Sequence, residues 1–136
     1  MQVGYEQVVR EDDVVKMLFK HPDSIRAARA FLDWLKNKGG ACTHSEMNQF
    51  AKMLASGKLG CKLSRTNFYK TLLHRFLDLG LIAEQPQYDY NKKRIIKAYR
   101  AIIQPIGKRR PMGPSLPLIT YLLCEKWNRE FTGKYD

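Results

Sequence analysis

Apolar positions recur at three- and four-residue steps through three separate stretches of this chain, and each stretch opens on a capping residue and closes on glycine. Ile25, Ala28, Phe31, Leu32 and Leu35 fall on one helical face, with Asp23 or Ser24 as the cap and Gly39-Gly40 as the stop. Met47, Phe50, Ala51 and Leu54 form a second stripe. Here Thr43 and Glu46 have the spacing of a capping box, in which each side chain satisfies an end amide at the other's position. Phe68, Tyr69, Leu72, Leu73, Phe76 and Leu79 form a third, between Ser64 as cap and Gly80 as stop.

The pattern changes on either side of these helices. Ala41-Cys42 reads as a short strand before Thr43, and Leu81, Ile82 and Ala83 as another after Gly80. The stretch 86–93 reads as a polar turn and 94–103 as a return strand rich in β-branched and aromatic residues. Residues 1–10 alternate weakly, as a strand or an ordered arm. Glu11, Asp12 and Asp13 suit the positive end of a short helix through Val14, Val15, Leu18 and Phe19. Pro105, Pro111, Gly113, Pro114 and Pro117 make 105–117 an extended arm, and Ile119, Leu122, Leu123, Trp127 and Phe131 mark a final amphipathic helix. The expected organisation is an N-terminal extension over 1–20 (arm or short helix), a compact domain over 21–104, a basic arm over 105–117 and a C-terminal helix over 118–136. The fold class is mainly α with a small β-hairpin, α+β.

Charge then narrows the choice of partner. Among 136 residues, 24 Lys and Arg face 13 Asp and Glu, a net charge of +11. The excess is concentrated: Arg65, Lys70, Arg75, Lys92, Lys93, Arg94, Lys97, Arg100, Lys108, Arg109 and Arg110 outnumber Asp78, Glu84 and Asp89 over 65–110, whereas the first 22 residues are slightly acidic. Such a field attracts polyanions. The polar side of the third helix holds Thr66, Asn67, Lys70, Thr71 and His74, with Arg65 at its start and almost no acid. Asn matches the edge of adenine, Lys and Arg match guanine or phosphate, and Thr can meet a thymine methyl.

Cys42, Cys61 and Cys124 are widely spaced, as are His21, His44 and His74, so neither a disulfide framework nor a local zinc motif is indicated. No signal peptide or membrane span is evident, and the expectation is an intracellular protein. No paired carboxylates, phosphate loop or nucleophile setting appears, so neither an enzyme nor a cofactor, bound metal or small-molecule ligand is expected.

Helix, strand, helix, turn, helix and hairpin, in that order, resemble the winged helix-turn-helix superfamily from about Asp23 to Ile103. Thr43-His44-Ser45-Glu46, the Ser64 helix and Leu79-Gly80-Leu81-Ile82 carry the resemblance. It implies double-stranded DNA binding with the Ser64 helix in the major groove. Arg65, Thr66, Asn67, Lys70, Thr71 and His74 become base-edge candidates. Thr43, Ser45, Lys62, Ser64, Arg75 and the wing residues Asn91, Lys92, Lys93 and Arg94 become phosphate contacts. The connection 56–63 is longer than a minimal helix-turn-helix turn, which bears on the docking angle. Lys108, Arg109 and Arg110 suit minor-groove entry or phosphate tethering. The C-terminal stripe either packs on its own domain or pairs two subunits through Ile119, Leu122, Leu123, Trp127 and Phe131, and a homodimer is the expectation. A transcriptional regulator is the leading reading. Replication-initiation or architectural DNA binding competes, as does a protein- or RNA-interaction module in which Tyr88, Tyr90 and Tyr99 stack on unpaired bases.

Overall fold

A computed structural model of the chain describes residues 5–132. Its elements run α1 (Tyr5–Arg10), α2 (Val14–Leu18), α3 (Pro22–Asn37), β1 (Ala41–Thr43), α4 (His44–Ser56), α5 (Arg65–Asn67), a π-helical turn (Phe68–Leu73), α6 (His74–Asp78), β2 (Ile82–Glu84), β3 (Gln87–Asp89), β4 (Arg94–Ile96), β5 (Ala98–Ala101) and α7 (Leu116–Thr132). Helices dominate, with two small antiparallel sheets: one of three strands in the order β1-β5-β2, the other the β3–β4 hairpin.

Local chemistry explains most boundaries. Asp13 caps α2 by accepting from the Val15 amide at 3.1 Å. The α3 cap is His21, whose Nδ1 accepts from the Asp23 amide at 3.2 Å, rather than Asp23 or Ser24. Pro22 decides this: with fixed φ and no amide hydrogen it fits the first helical position, so the cap moves to the residue before it. The capping box of α4 is complete, with Glu46 N donating to Thr43 Oγ1 at 3.2 Å and Thr43 N donating to Glu46 Oε1 at 2.9 Å. The bond from the Thr43 backbone, and after it one from Lys38 Nζ to Glu46 Oε2 at 2.9 Å, hold the Glu46 carboxyl below its ordinary pKa.

The helical run 65–78 begins as expected, with Ser64 Oγ accepting from Asn67 N at 3.1 Å. It then widens into the π turn. Phe68, Leu72 and Leu73 are all buried there, and the wider turn brings the i+5 position Leu73 closer to the face of Phe68 than an ordinary helix would. The run ends at Gly80, with φ +75°, in a Schellman arrangement: Gly80 N bonds Leu77 O at 3.1 Å and Leu81 N bonds Phe76 O at 3.0 Å. Leu79, expected on the apolar stripe, is exposed.

β1 pairs with β5 through Cys42↔Tyr99, and β2 with β5 through Ala83↔Arg100. The polar turn expected over 86–93 is shorter than that. Gln87–Asp89 is a strand paired with β4, which confines the reversal to 90–93. Residues 5–10 are helical rather than extended and lie against α7, while the expectation for residues 1–4 falls outside the described residues.

Phe31 sits at the centre of the core, with ring centroids 5.4 Å from Phe68, 5.6 Å from Phe50 and 5.7 Å from Phe76. Val14, Val15, Leu18 and Phe19 of the expected extension belong to this same core, as does Trp127 of α7. Neither boundary drawn from the sequence divides the packing. Leu122 and Trp127 are buried within the chain, and Ile119, Leu123 and Phe131 pack against the buried clusters. On the face of α7 expected to pair two subunits, Leu122 and Trp127 are thus covered by the protein itself, and Ile119, Leu123 and Phe131 are half-buried against it.

Polar contacts lock α7 in place. Asn128 Oδ1 accepts from Gln104 N at 2.7 Å and its Nδ2 donates to Gln104 O at 2.9 Å. Arg29 of α3 forks onto Glu130 at 2.6 and 3.0 Å and also reaches Asp13 at 3.1 Å, while Lys36 meets Glu130 at 2.9 Å. Burial opposes the charge on Glu130, but the bonds from Arg29 and Lys36 outweigh it and hold the carboxyl below its usual range. A depressed folded-state pKa contributes stability above the unfolded value of about 4.3, and that stability is lost as pH falls through the folded value. Glu130→Gln is therefore expected to cost about 2 kcal/mol at neutral pH, with the gap from wild type closing below about pH 4. Urea unfolding midpoints across that range check this, and a gap independent of pH would refute it.

Candidate nucleic-acid interface

Two adjoining depressions form one continuous concave surface. One, of about 340 Å³, lies between the start of α4 and the hairpin and is lined by Thr43, His44, Ser45, Asn48, Lys92, Arg94, Ile95, Ile96 and Lys97. The other is lined by His44, Asn48, Arg65, Thr66 and Tyr69. His44 and Asn48 belong to both, so the surface runs without a break from the first turn of 65–78, across α4, to β4.

Each position follows from a local cause. The capping box starts α4 directly after β1, and His44 N donates to Lys97 O at 2.9 Å, which ties the helix start to the β4–β5 link. His44 Nδ1 meets the Tyr99 hydroxyl at 3.0 Å. Tyr99 is buried in the sheet rather than exposed, and burial above all raises its pKa to about 12, so the phenol stays neutral. Asn48, one helical turn after His44, accepts through Oδ1 from Arg65 at 3.2 Å and from the Tyr69 hydroxyl. Its amide nitrogen has no hydrogen-bond partner among the described residues and is left as a donor on the shared floor.

The hairpin turn is held by Asp89, whose Oδ1 accepts from the amides of Asn91 at 2.8 Å and Lys92 at 3.1 Å. Lys93 adopts φ +53°, the left-handed conformation the reversal needs. The acid of the turn is thereby engaged by backbone amides, and Asn91, Lys92, Lys93 and Arg94 are exposed. Lys97 is loosely paired with Glu84 at 3.7 Å.

Of the residues singled out from the sequence, Thr43, Ser45, Arg65, Thr66, Lys92 and Arg94 line the depressions, with Ser64 capping the helix beside them. Lys62, Asn67 and Lys70 are exposed on or just before that helix. Thr71 and Arg75 face elsewhere, towards Leu18, Phe19 and His21. The Arg75 guanidinium donates to the Leu18 carbonyl and lies 5.2 Å from the Phe19 ring centroid, so it closes the end of α2 instead of reaching out as a phosphate contact. His74 is paired with Asp78 at 3.3 Å. Lys108, Arg109 and Arg110 are exposed on a segment without helix or strand and line neither depression.

His44, Asn48, Tyr69 and Lys97 were not among the candidates. The i,i+4 spacing of His44 and Asn48 is the signal that could have found the first two, since it puts both on one face of α4. Cys42 is buried, and burial first of all lifts its thiol to about 12, which makes it unreactive. No helix among the described residues is long and apolar enough to cross a membrane. Comparison of the chain with families of known proteins, with curated proteins and with solved structures finds no match.

Proposed function

We propose that this chain is a winged-helix protein that binds double-stranded DNA, acting as a sequence-specific transcriptional regulator. The observation that carries the reading is the unbroken surface that joins Arg65, Thr66 and Tyr69 to the start of α4 and the hairpin. There Arg65, Lys92, Arg94 and Lys97 surround uncharged hydrogen-bonding groups, and the single flanking acid of the turn is spent on backbone amides. In this reading 65–78 enters the major groove by its first turns. Asn67 and Lys70 are best placed for base edges, Thr66 and Arg65 for bases or backbone, and the hairpin is the wing that grips phosphate. The arm 105–117 follows the backbone at a distance from the reading surface. One protomer carries the whole of this surface.

Anisotropy titrations with random-sequence duplex DNA over a salt series test this. A steep fall in affinity with salt is expected, and its absence would refute the reading. Lys70→Ala and Asn67→Ala are expected to lower discrimination between a selected site and random duplex by about tenfold, with little change in the salt slope. A regulator shows a thousandfold or greater preference for its site, whereas an architectural binder does not.

A further inference from the structure

The outer end of the hairpin carries an apolar surface that duplex phosphate contacts leave unused. Tyr88 lies directly opposite Ile95 in the β3–β4 pairing, which puts the two side chains on one face. Tyr90 continues that face, its ring centroid 4.9 Å from that of Tyr88 in an edge-to-face arrangement. Tyr90 is 83% exposed, Ile95 70% and Tyr88 45%. Three large side chains so exposed on a hairpin with only three residues in each strand add little to its folding, because no described part of the chain covers them.

Charge restricts what covers them. Lys92, Lys93 and Arg94 follow the tyrosines around the turn, and Ile95 itself lines the depression shared with Lys92, Arg94, Lys97 and the start of α4. A cationic groove that leads onto exposed aromatic rings is the chemistry that holds single-stranded nucleic acid, in which phosphates follow the charge and bases stack on the rings. Bases inside a duplex already have both faces covered by their neighbours, so an unpaired base is the group such rings can receive.

We propose that Tyr88 and Tyr90 form a stacking site for unpaired nucleobases, so that the protein prefers duplex DNA bearing a single-stranded end to blunt duplex. This rests on the duplex-binding reading above and names a further ligand class for the hairpin. Ile95 and the turn cations place the duplex end beside the rings, and a displaced base leaves the stack to lie on Tyr90.

Anisotropy titrations at one salt concentration with a blunt duplex and with the same duplex carrying a single-stranded thymidine tail provide the test. Wild type is expected to bind the tailed duplex about tenfold more tightly. Tyr90→Ala and the double variant Tyr88→Ala/Tyr90→Ala remove the preference without changing blunt-duplex affinity, which also serves as the control for folding. Tyr90→Phe keeps it. Equal affinity of wild type for both probes overturns the proposal, as does a preference that survives the double alanine variant or is lost in Tyr90→Phe. Wild type that binds only the tailed probe, through Tyr90, supports stacking and sinks the duplex reading, and binding to neither probe sinks both.

Discussion

Trp127→Ala is expected to be the most damaging single substitution in this protein, costing about 4 to 5 kcal/mol of folding stability. The side chain is fully buried, with its ring centroid 5.6 Å from that of Phe76 and 4.8 Å from that of Phe131. Removing it leaves a cavity where two helices meet, and tryptophan-to-alanine changes in cores cost about 3 to 5 kcal/mol. The indole Nε1 also donates to the Ile102 carbonyl at 2.9 Å, a bond that alanine removes while Gln104 Nε2 still donates to the same oxygen at 2.9 Å. Since a domain of this size has only about 5 to 15 kcal/mol in total, the variant is expected to lose about a third or more of its stability. Chemical denaturation checks this. A loss under about 1 kcal/mol would mean that α7 is a detachable appendage and not part of the core.

The second large effect concerns binding. Replacing Lys92, Lys93 and Arg94 together by alanine is expected to weaken binding to random duplex about 100-fold near 0.15 M salt and to reduce the salt slope by about 3, because each lost phosphate contact returns about 0.9 of a counterion. All three side chains are exposed, and the turn itself depends on Asp89 and backbone amides, so the fold is expected to persist. Thermal unfolding within a degree or two of wild type checks that point. An unchanged slope would place the DNA elsewhere on the protein.

What could be read from the sequence was what is decided within a few residues. The Thr43–Glu46 capping box, the Ser64 cap and the stops at Gly39-Gly40 and Gly80 each depend on neighbours along the chain, and each is where the spacing put it. The π turn was not legible, because Phe68, Leu72, Leu73 and Phe76 satisfy an ordinary helical stripe almost as well as a widened one. Nor was the fate of α7. An amphipathic stripe states that one face must be covered, but whether the cover is the same chain depends on surfaces contributed by α1, α2 and α3 more than eighty residues earlier. Arg75 misled for a related reason: a lysine or arginine on a helix reads as exposed until the carbonyl at the end of another helix takes its hydrogen bonds. The site was half legible. The basic hairpin and the first turn of 65–78 could be named, while the floor between them is set by the β1–β5 pairing, which places His44 and Asn48 opposite β4.

The bonds between Arg29 and Glu130 span 101 residues, and this long reach bears on how the protein is made. Helices α2 and α3 are synthesised early, yet the indole that fills the space beside Phe76 and the carboxylate that answers Arg29 are both carried by α7. Until that helix emerges, the nascent chain holds a greasy, positively charged half-core with nothing to close it, open to chaperones or to any polyanion in reach. The core beside Phe76 and the charge on Arg29 are thus closed from the far end of the described chain, by α7.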